Sequence, residues 1–178
     1  VNHEMREILK KLTETAGLPG MESAVRERIA EEVIEVSHSV KEDVLGNLIV
    51  KAGAEQGYKL GIFAHMDEVG LIVRRISPTG LIFFDLLGSI DDRILLGSEV
   101  DVITVEGKAI RGVIGNKSRH LQSTSDLRSE VNYKHMVIDI GATDAQEVVK
   151  LGIEIGCGVV FTTACRFYDN GTVLAKAL

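Results

Sequence analysis

The sequence predicts an α/β fold interrupted by a β-barrel-like module, and three observations carry that prediction. Two amphipathic helical patterns fill the first third of the chain, and a continuous apolar run, Leu60 to Ala64, follows them. From Val69 onward the texture changes to short strand-like segments separated by Gly-containing turns.

Met5, Ile8, Leu9 and Leu12 recur at i, i+3, i+4 and i+7, which puts them on one face of a first helix. Glu4, Arg6, Lys10 and Glu14 take the remaining faces, and Gly17, Pro19 and Gly20 end the pattern. Val25, Ile29, Val33 and Ile34 repeat it in a second helix, rich in Glu and Arg, whose apolar face needs a cover. Ser39 to Val44 and Leu48 to Lys51 read as strands around a tight Leu45-Gly46-Asn47 turn. The run Leu60-Gly61-Ile62-Phe63-Ala64 lacks alternation, so it predicts a strand buried on both faces, as in a layered α/β domain.

In the β-rich stretch, Gly70 to Ile76 and Leu81 to Leu86 flank Ser77-Pro78-Thr79-Gly80, whose Pro and Gly suit a type I turn. Glu99 to Val105 and Lys108 to Ile114 flank Glu106-Gly107, and His135 to Ile140 and Gly158 to Thr163 supply two more strands. Thr143-Asp144-Ala145-Gln146 fits a capping box for one short helix carrying Val148, Val149 and Leu151. The polar stretch from Asn116 to Lys134 predicts a long mobile loop. A domain boundary is expected near Glu68 to Gly70, ahead of a barrel-like or sandwich module. Asp169-Asn170-Gly171 is a strong hairpin signal, and the apolar Val173-Leu174-Ala175-Lys176-Ala177 before Leu178 reads as an element cut short.

The 178 residues hold 20 Lys plus Arg against 26 Asp plus Glu, are 45% apolar, and contain no Trp. That balance excludes a disordered chain and a disulfide scaffold. A net charge of -6 gives no electrostatic footprint for a polyanion, so nucleic acid is not an expected partner. No run of 18 apolar residues suggests a membrane span, and the first ten residues lack a signal-peptide pattern, so the chain reads as soluble and cytoplasmic. Cys157 and Cys165 read as reduced thiols packed as small hydrophobes.

His65-Met66-Asp67 closes the apolar run. At i and i+2 of a strand an imidazole and a carboxylate leave on the same side. The imidazole is then free to bind a cation while the carboxylate takes the other ring N–H and fixes the tautomer. Spacing alone leaves the alternative open that the two simply cap a strand end. His3, His38 and His135 read as solvated or hydrogen-bonded side chains, and Glu68, Asp91, Asp92 and Arg93 as an ion-paired surface set. No G-x-S-x-G elbow, Walker loop or H-E-x-x-H occurs.

Leu18-Pro19-Gly20-Met21-Glu22, Asp43-Val44-Leu45-Gly46-Asn47-Leu48 and Ala64-His65-Met66-Asp67-Glu68-Val69-Gly70 together resemble, in order, segments of the tetrahedral (TET) dinuclear metal aminopeptidases. This is the glutamyl aminopeptidase family once labelled endoglucanases. Gly88 through Gly97, Gly112 to Lys117 with His120-Leu121, Asp139-Ile140-Gly141-Ala142, and Gly171 through Leu178 extend the resemblance over nearly the whole chain.

The resemblance implies an aminopeptidase-type α/β/α catalytic domain, of which residues 1-68 are the first part and 166-178 the return, interrupted at 69-165 by a β-rich dimerisation domain. It implies two divalent metal ions, zinc or cobalt, with His65 as a ligand and Asp67 as the catalytic carboxylate that orients it. A peptide would be the substrate, losing its N-terminal residue to a metal-activated water, and the partner a homo-oligomer, a dodecamer in the family. In a related group of shell-forming aminopeptidases a dimerisation-domain His reaches the partner's active site, which suggests the same trans contact for His120. In the family an Asp bridging both metals follows the Ala-Leu that matches Ala177-Leu178, and the general-base Glu and other ligands come later. These 178 residues are therefore expected to be inactive on their own, and a non-catalytic dimerisation or assembly module from a truncated or split paralogue is the alternative. A glycosidase is disfavoured, because five Phe, three Tyr and no Trp leave little for sugar stacking.

Overall fold

The computed structural model describes residues 2–116 and 130–178. The chain is mixed α/β and divides into two compact units, Val1–Glu68 with Ala164–Leu178, and Val69–Thr163. Among the described residues no helix is long and apolar enough to cross a membrane.

The first unit opens with helix α1, His3–Glu14, whose first turn is closed by Asn2, its side chain accepting from the Met5 N–H at 2.9 Å. Helix α2, Ser23–Val33, packs beside it, and Lys11 pairs with Glu32 at 2.8 Å. Strands β1, Ser39–Glu42, and β2, Leu48–Lys51, form an antiparallel hairpin. Asp43 shapes its turn by accepting from the backbone N–H groups of Leu45 and Asn47 and from the Asn47 side chain, each at 2.9 Å. Gly46, at φ +83°, supplies the left-handed step, and the Arg26 guanidinium donates to its carbonyl.

The apolar run departs from the sequence expectation. Residues 59–67 form no strand, and Leu60, Ile62 and Phe63 are 88, 87 and 95% exposed. A strand of this type takes its hydrogen bonds and its cover from neighbours on both sides. Among the described residues no strand pairs with it.

The second unit is a closed barrel. Strands β3 (Gly70–Ile76), β4 (Ile82–Leu87), β5 (Glu99–Ile103), β6 (Ala109–Gly115), β7 (Val137–Asp139) and β8 (Gly158–Phe161) close in the order β3-β4-β7-β6-β5-β8, all antiparallel. Period-two alternation builds its interior: Leu71 and Val73, Ile82 and Phe84, Val100 and Val102 point inward. Outward residues of β5 and β6 pair instead, Arg111 reaching Asp101 at 2.7 Å and Glu99 at 2.8 Å. Gly112 is inward as well, because a Cβ there would stand 2.7 Å from the Ile138 side chain and 2.9 Å from that of Ile140.

Helix α3, Ala145–Lys150, contributes buried Val148 to this core, with Leu95, Met136 and Ile153. Its cap sits one residue later than the sequence pattern suggests. Asp144, not Thr143, accepts from Gln146 and Glu147 N–H, and the Glu147 carboxylate reaches back to the Thr143 N–H at 2.7 Å. An aspartate carboxylate satisfies two of the orphan donors at once, which makes it the better cap. Of the polar stretch expected as a loop, residues 117–129 lie outside the described residues, and Tyr133–His135 make a single 3-10 turn.

The chain re-enters the first unit at Ala164 and ends in a two-residue hairpin, β9 (Arg166–Phe167) with β10 (Val173–Leu174). Gly171 at φ +82° completes its turn. Cys157 and Cys165 are both free and buried.

Candidate functional site

The chemistry-bearing residues of the first unit gather where the chain leaves the apolar run. The His65 Nδ1 lies 3.0 Å from the Asp67 carbonyl oxygen and 3.1 Å from its carboxylate Oδ1. Both neighbours are acceptors, so Nδ1 must carry the proton and donate it. With that proton on Nδ1, Nε2 is the ring atom that carries the lone pair of a neutral imidazole, the atom a cation would use. The i and i+2 meeting expected of a strand therefore occurs without one, in irregular backbone, and the Asp67 carbonyl takes part in it.

His65 lines a cleft of about 710 Å³ together with Met66, Phe63, Ile29, Asp43 and Asn47. Its side chain is well exposed there. Asp43 is held below the usual carboxylate range, first by the hydrogen bond from the Asn47 side chain and then by the Asn47 backbone N–H. It stays an anion facing the same cleft as the imidazole.

The backbone that carries His65 is fixed from two sides. Gly17 lies so close that a Cβ on it would stand 2.5 Å from a Val25 methyl and 3.2 Å from the Met66 carbonyl oxygen. The Glu68 N–H donates to the Gly17 carbonyl at 2.7 Å, and the Gly17 N–H donates to the Glu68 carboxylate at 3.3 Å. Glu68 also pairs with the Lys176 ammonium, and side-chain exposure is only 5% for Glu68 and 8% for Lys176. Reading Glu68 as part of a surface set is thus corrected. A carboxylate with a backbone donor on one side and an ammonium on the other has the partners that burial demands. The signal for this was absent from the local sequence, since Lys176 is 108 positions away.

The other members of that set do lie on the surface. Arg93 forks onto Asp91 and holds its carboxyl at about 2, chiefly through the side-chain hydrogen bond. Asp92 accepts from the Tyr133 N–H at 2.9 Å. His38 hydrogen-bonds the Gly53 carbonyl at 2.7 Å. His120 lies outside the described residues. Among the described residues, no group of three or more His, Cys, Asp or Glu side chains is gathered as a cation requires.

The chain is similar to several known proteins. The lysyl aminopeptidase of Pyrococcus furiosus is 29% identical over 96% of this chain and 47% of its own. The TET aminopeptidase structure from the marine sediment archaeon Thaumarchaeota archaeon SCGC AB-539-E09 superposes with a TM-score of 0.88 at 31% identity, over 96% of this chain and 48% of that one. A structure of the Pyrococcus horikoshii TET1 peptidase, described as able to assemble into a tetrahedron or a large octahedral shell, gives 0.83 at 36% identity, over 97 and 51%. The chain spans about half the length of the curated relatives it matches. Residues 46–178 match the family model for M42 glutamyl aminopeptidases, and the chain belongs to that family.

Proposed function

We propose that this chain is the amino-terminal part of a metal-dependent aminopeptidase that removes N-terminal residues from peptides. The observation that carries the reading is the His65 ring, with Nδ1 committed to Asp67 and Nε2 left without that contact at the wall of a cleft. Divalent cations, zinc or cobalt, would act as Lewis acids that polarise a peptide carbonyl and acidify water. His65 would hold one of two such ions through Nε2. Asp67 would fix the tautomer of the ring. The anionic Asp43 lends the cleft a negative potential suited to a cation or to a peptide α-ammonium group.

One His does not hold an ion pair, so these 178 residues on their own are inactive in this reading. The barrel unit would be the dimerisation module inserted in the catalytic domain. Support for assembly comes from the TET relatives, whose structures are described as dodecameric or shell-forming. A non-catalytic assembly module is the second reading, favoured by the lack of a clustered ligand set among the described residues.

The test is metal uptake and hydrolysis of aminoacyl p-nitroanilides with and without Co(II) or Zn(II). The 178-residue chain is expected to take up Co(II) weakly through His65, to lose that uptake in His65→Ala, and to show no turnover. Full turnover would overturn the inactive assignment, and unchanged uptake in His65→Ala would overturn the ligand assignment.

A further inference from the structure

The buried Glu68–Lys176 pair does not belong to the His65–Asp67 contact, and stability explains it poorly. Two charges taken out of water recover little net energy from each other, and apolar residues of similar volume often do as well or better. What the pair does supply is direction. Lys176 holds the Glu68 carboxylate, the same carboxylate accepts from the Gly17 N–H, and the Glu68 N–H returns a bond to the Gly17 carbonyl. Gly17 in turn lies against the Met66 carbonyl so closely that a Cβ would intrude. Met66 and Glu68 alternate with His65 and Asp67 along the backbone. Among the described residues the imidazole makes its polar contacts with Asp67 alone and is otherwise exposed, so its position depends on where that backbone is pinned.

A second observation lies beside Lys176. Ala177, at φ +57°, is the only non-glycine with positive φ among the described residues. The left-handed region disfavours a residue with a Cβ and persists where the surroundings over-determine it. The residue next to that step is the one whose ammonium is buried on Glu68.

We propose that Glu68 and Lys176 are positioning residues. Their ion pair, relayed through Gly17, sets the backbone of His65 to Asp67 against the segment from Lys176 to Leu178, so that the imidazole presents Nε2 in one orientation. This rests on the reading of His65 as a metal ligand and adds the device that aims it.

The test uses the 178-residue chain with 15N-labelled imidazole, at about pH 8.5, two units above the ordinary imidazole value. NMR reads the His65 tautomer, Co(II) titration reads affinity, and near-UV circular dichroism reads folding. The wild type is expected to show mainly the Nδ1–H form. Glu68→Gln and Lys176→Met are expected to shift the ring toward the Nε2–H form and to weaken Co(II) binding about tenfold, with Lys176→Arg recovering part of both. The apolar double variant Glu68→Leu/Lys176→Met, which leaves no orphaned charge, should fold yet keep the altered tautomer.

Folded variants with the wild-type tautomer and affinity would overturn the proposal, as would failure of every variant to fold, since the pair would then serve folding alone. If the tautomer responds but wild type and His65→Ala bind Co(II) alike, positioning stands and the metal reading falls.

Discussion

The two units solve the problem of burying apolar surface to very different extents. In the barrel, Leu71, Val73, Ile82, Phe84, Val100, Val102, Ile114, Ile138 and Val159 form one continuous core that α3 helps to close. In the first unit the buried apolar side chains among the described residues are Leu18, Val25 and Cys165, while Leu60, Ile62 and Phe63 face solvent. The difference lies in partnership. A barrel strand finds neighbours on both sides within its own unit, which removes free edges. The apolar run of the first unit finds none there. The candidate site thus rests on the less covered of the two, and polar contacts around Glu68 do the fixing that packing does in the other.

Two rings give the sharpest way to break this contrast. Phe84→Ala removes a side chain that is 1% exposed and should cost about 3–5 kcal/mol, whereas Phe63→Ala should change stability by about 0.5 kcal/mol or less. Urea unfolding of both variants checks it, and comparable losses would mean that Phe63 is covered in solution. Helix caps give a smaller version of the same comparison. Asp144→Ala, which strips two bonds from α3 of the barrel unit, should cost about 1 kcal/mol, and Asn2→Ala, which strips one from α1, about half of that. Thermal unfolding resolves the difference if the barrel helix is the more tightly coupled one.

The smallest effect concerns acid. Asp91 is lowered from 3.8 to about 2 in the folded protein by Arg93, so its contribution is present above the unfolded value and is lost as pH falls through about 2. It is a surface group, and its weight is small. Carboxyl NMR titration should show Asp91 titrating well below an ordinary aspartate, and Arg93→Ala should bring it back up.

The barrel was largely legible because alternation and turn chemistry are local. Ser77-Pro78-Thr79-Gly80 carries its own instructions, with the Ser77 hydroxyl accepting from the Leu81 N–H and Gly80 at φ +79°. The His65 and Asp67 pair was legible for a similar reason, two residues apart with complementary chemistry. The Thr143 cap was misplaced by one residue because both Thr143 and Asp144 are competent, and only the geometry chooses between them. Leu60 to Ala64 misled because an apolar run states what it would bury and not whether a neighbour is present. Glu68 was unreadable, since burial of a carboxylate depends on an ammonium far along the chain.

The uncovered stretch from Leu60 to Phe63 also bears on how the polypeptide behaves in solution. A short, uncharged, hydrophobic segment without a shield is what chaperones grip and what drives coalescence as concentration rises. Lys59 does not stand guard at its margin, because its ammonium is folded back onto the carbonyls of Ala54 and Glu55. Handling at low concentration, and early provision of whatever sheet neighbours that stretch accepts, would protect the yield of native material.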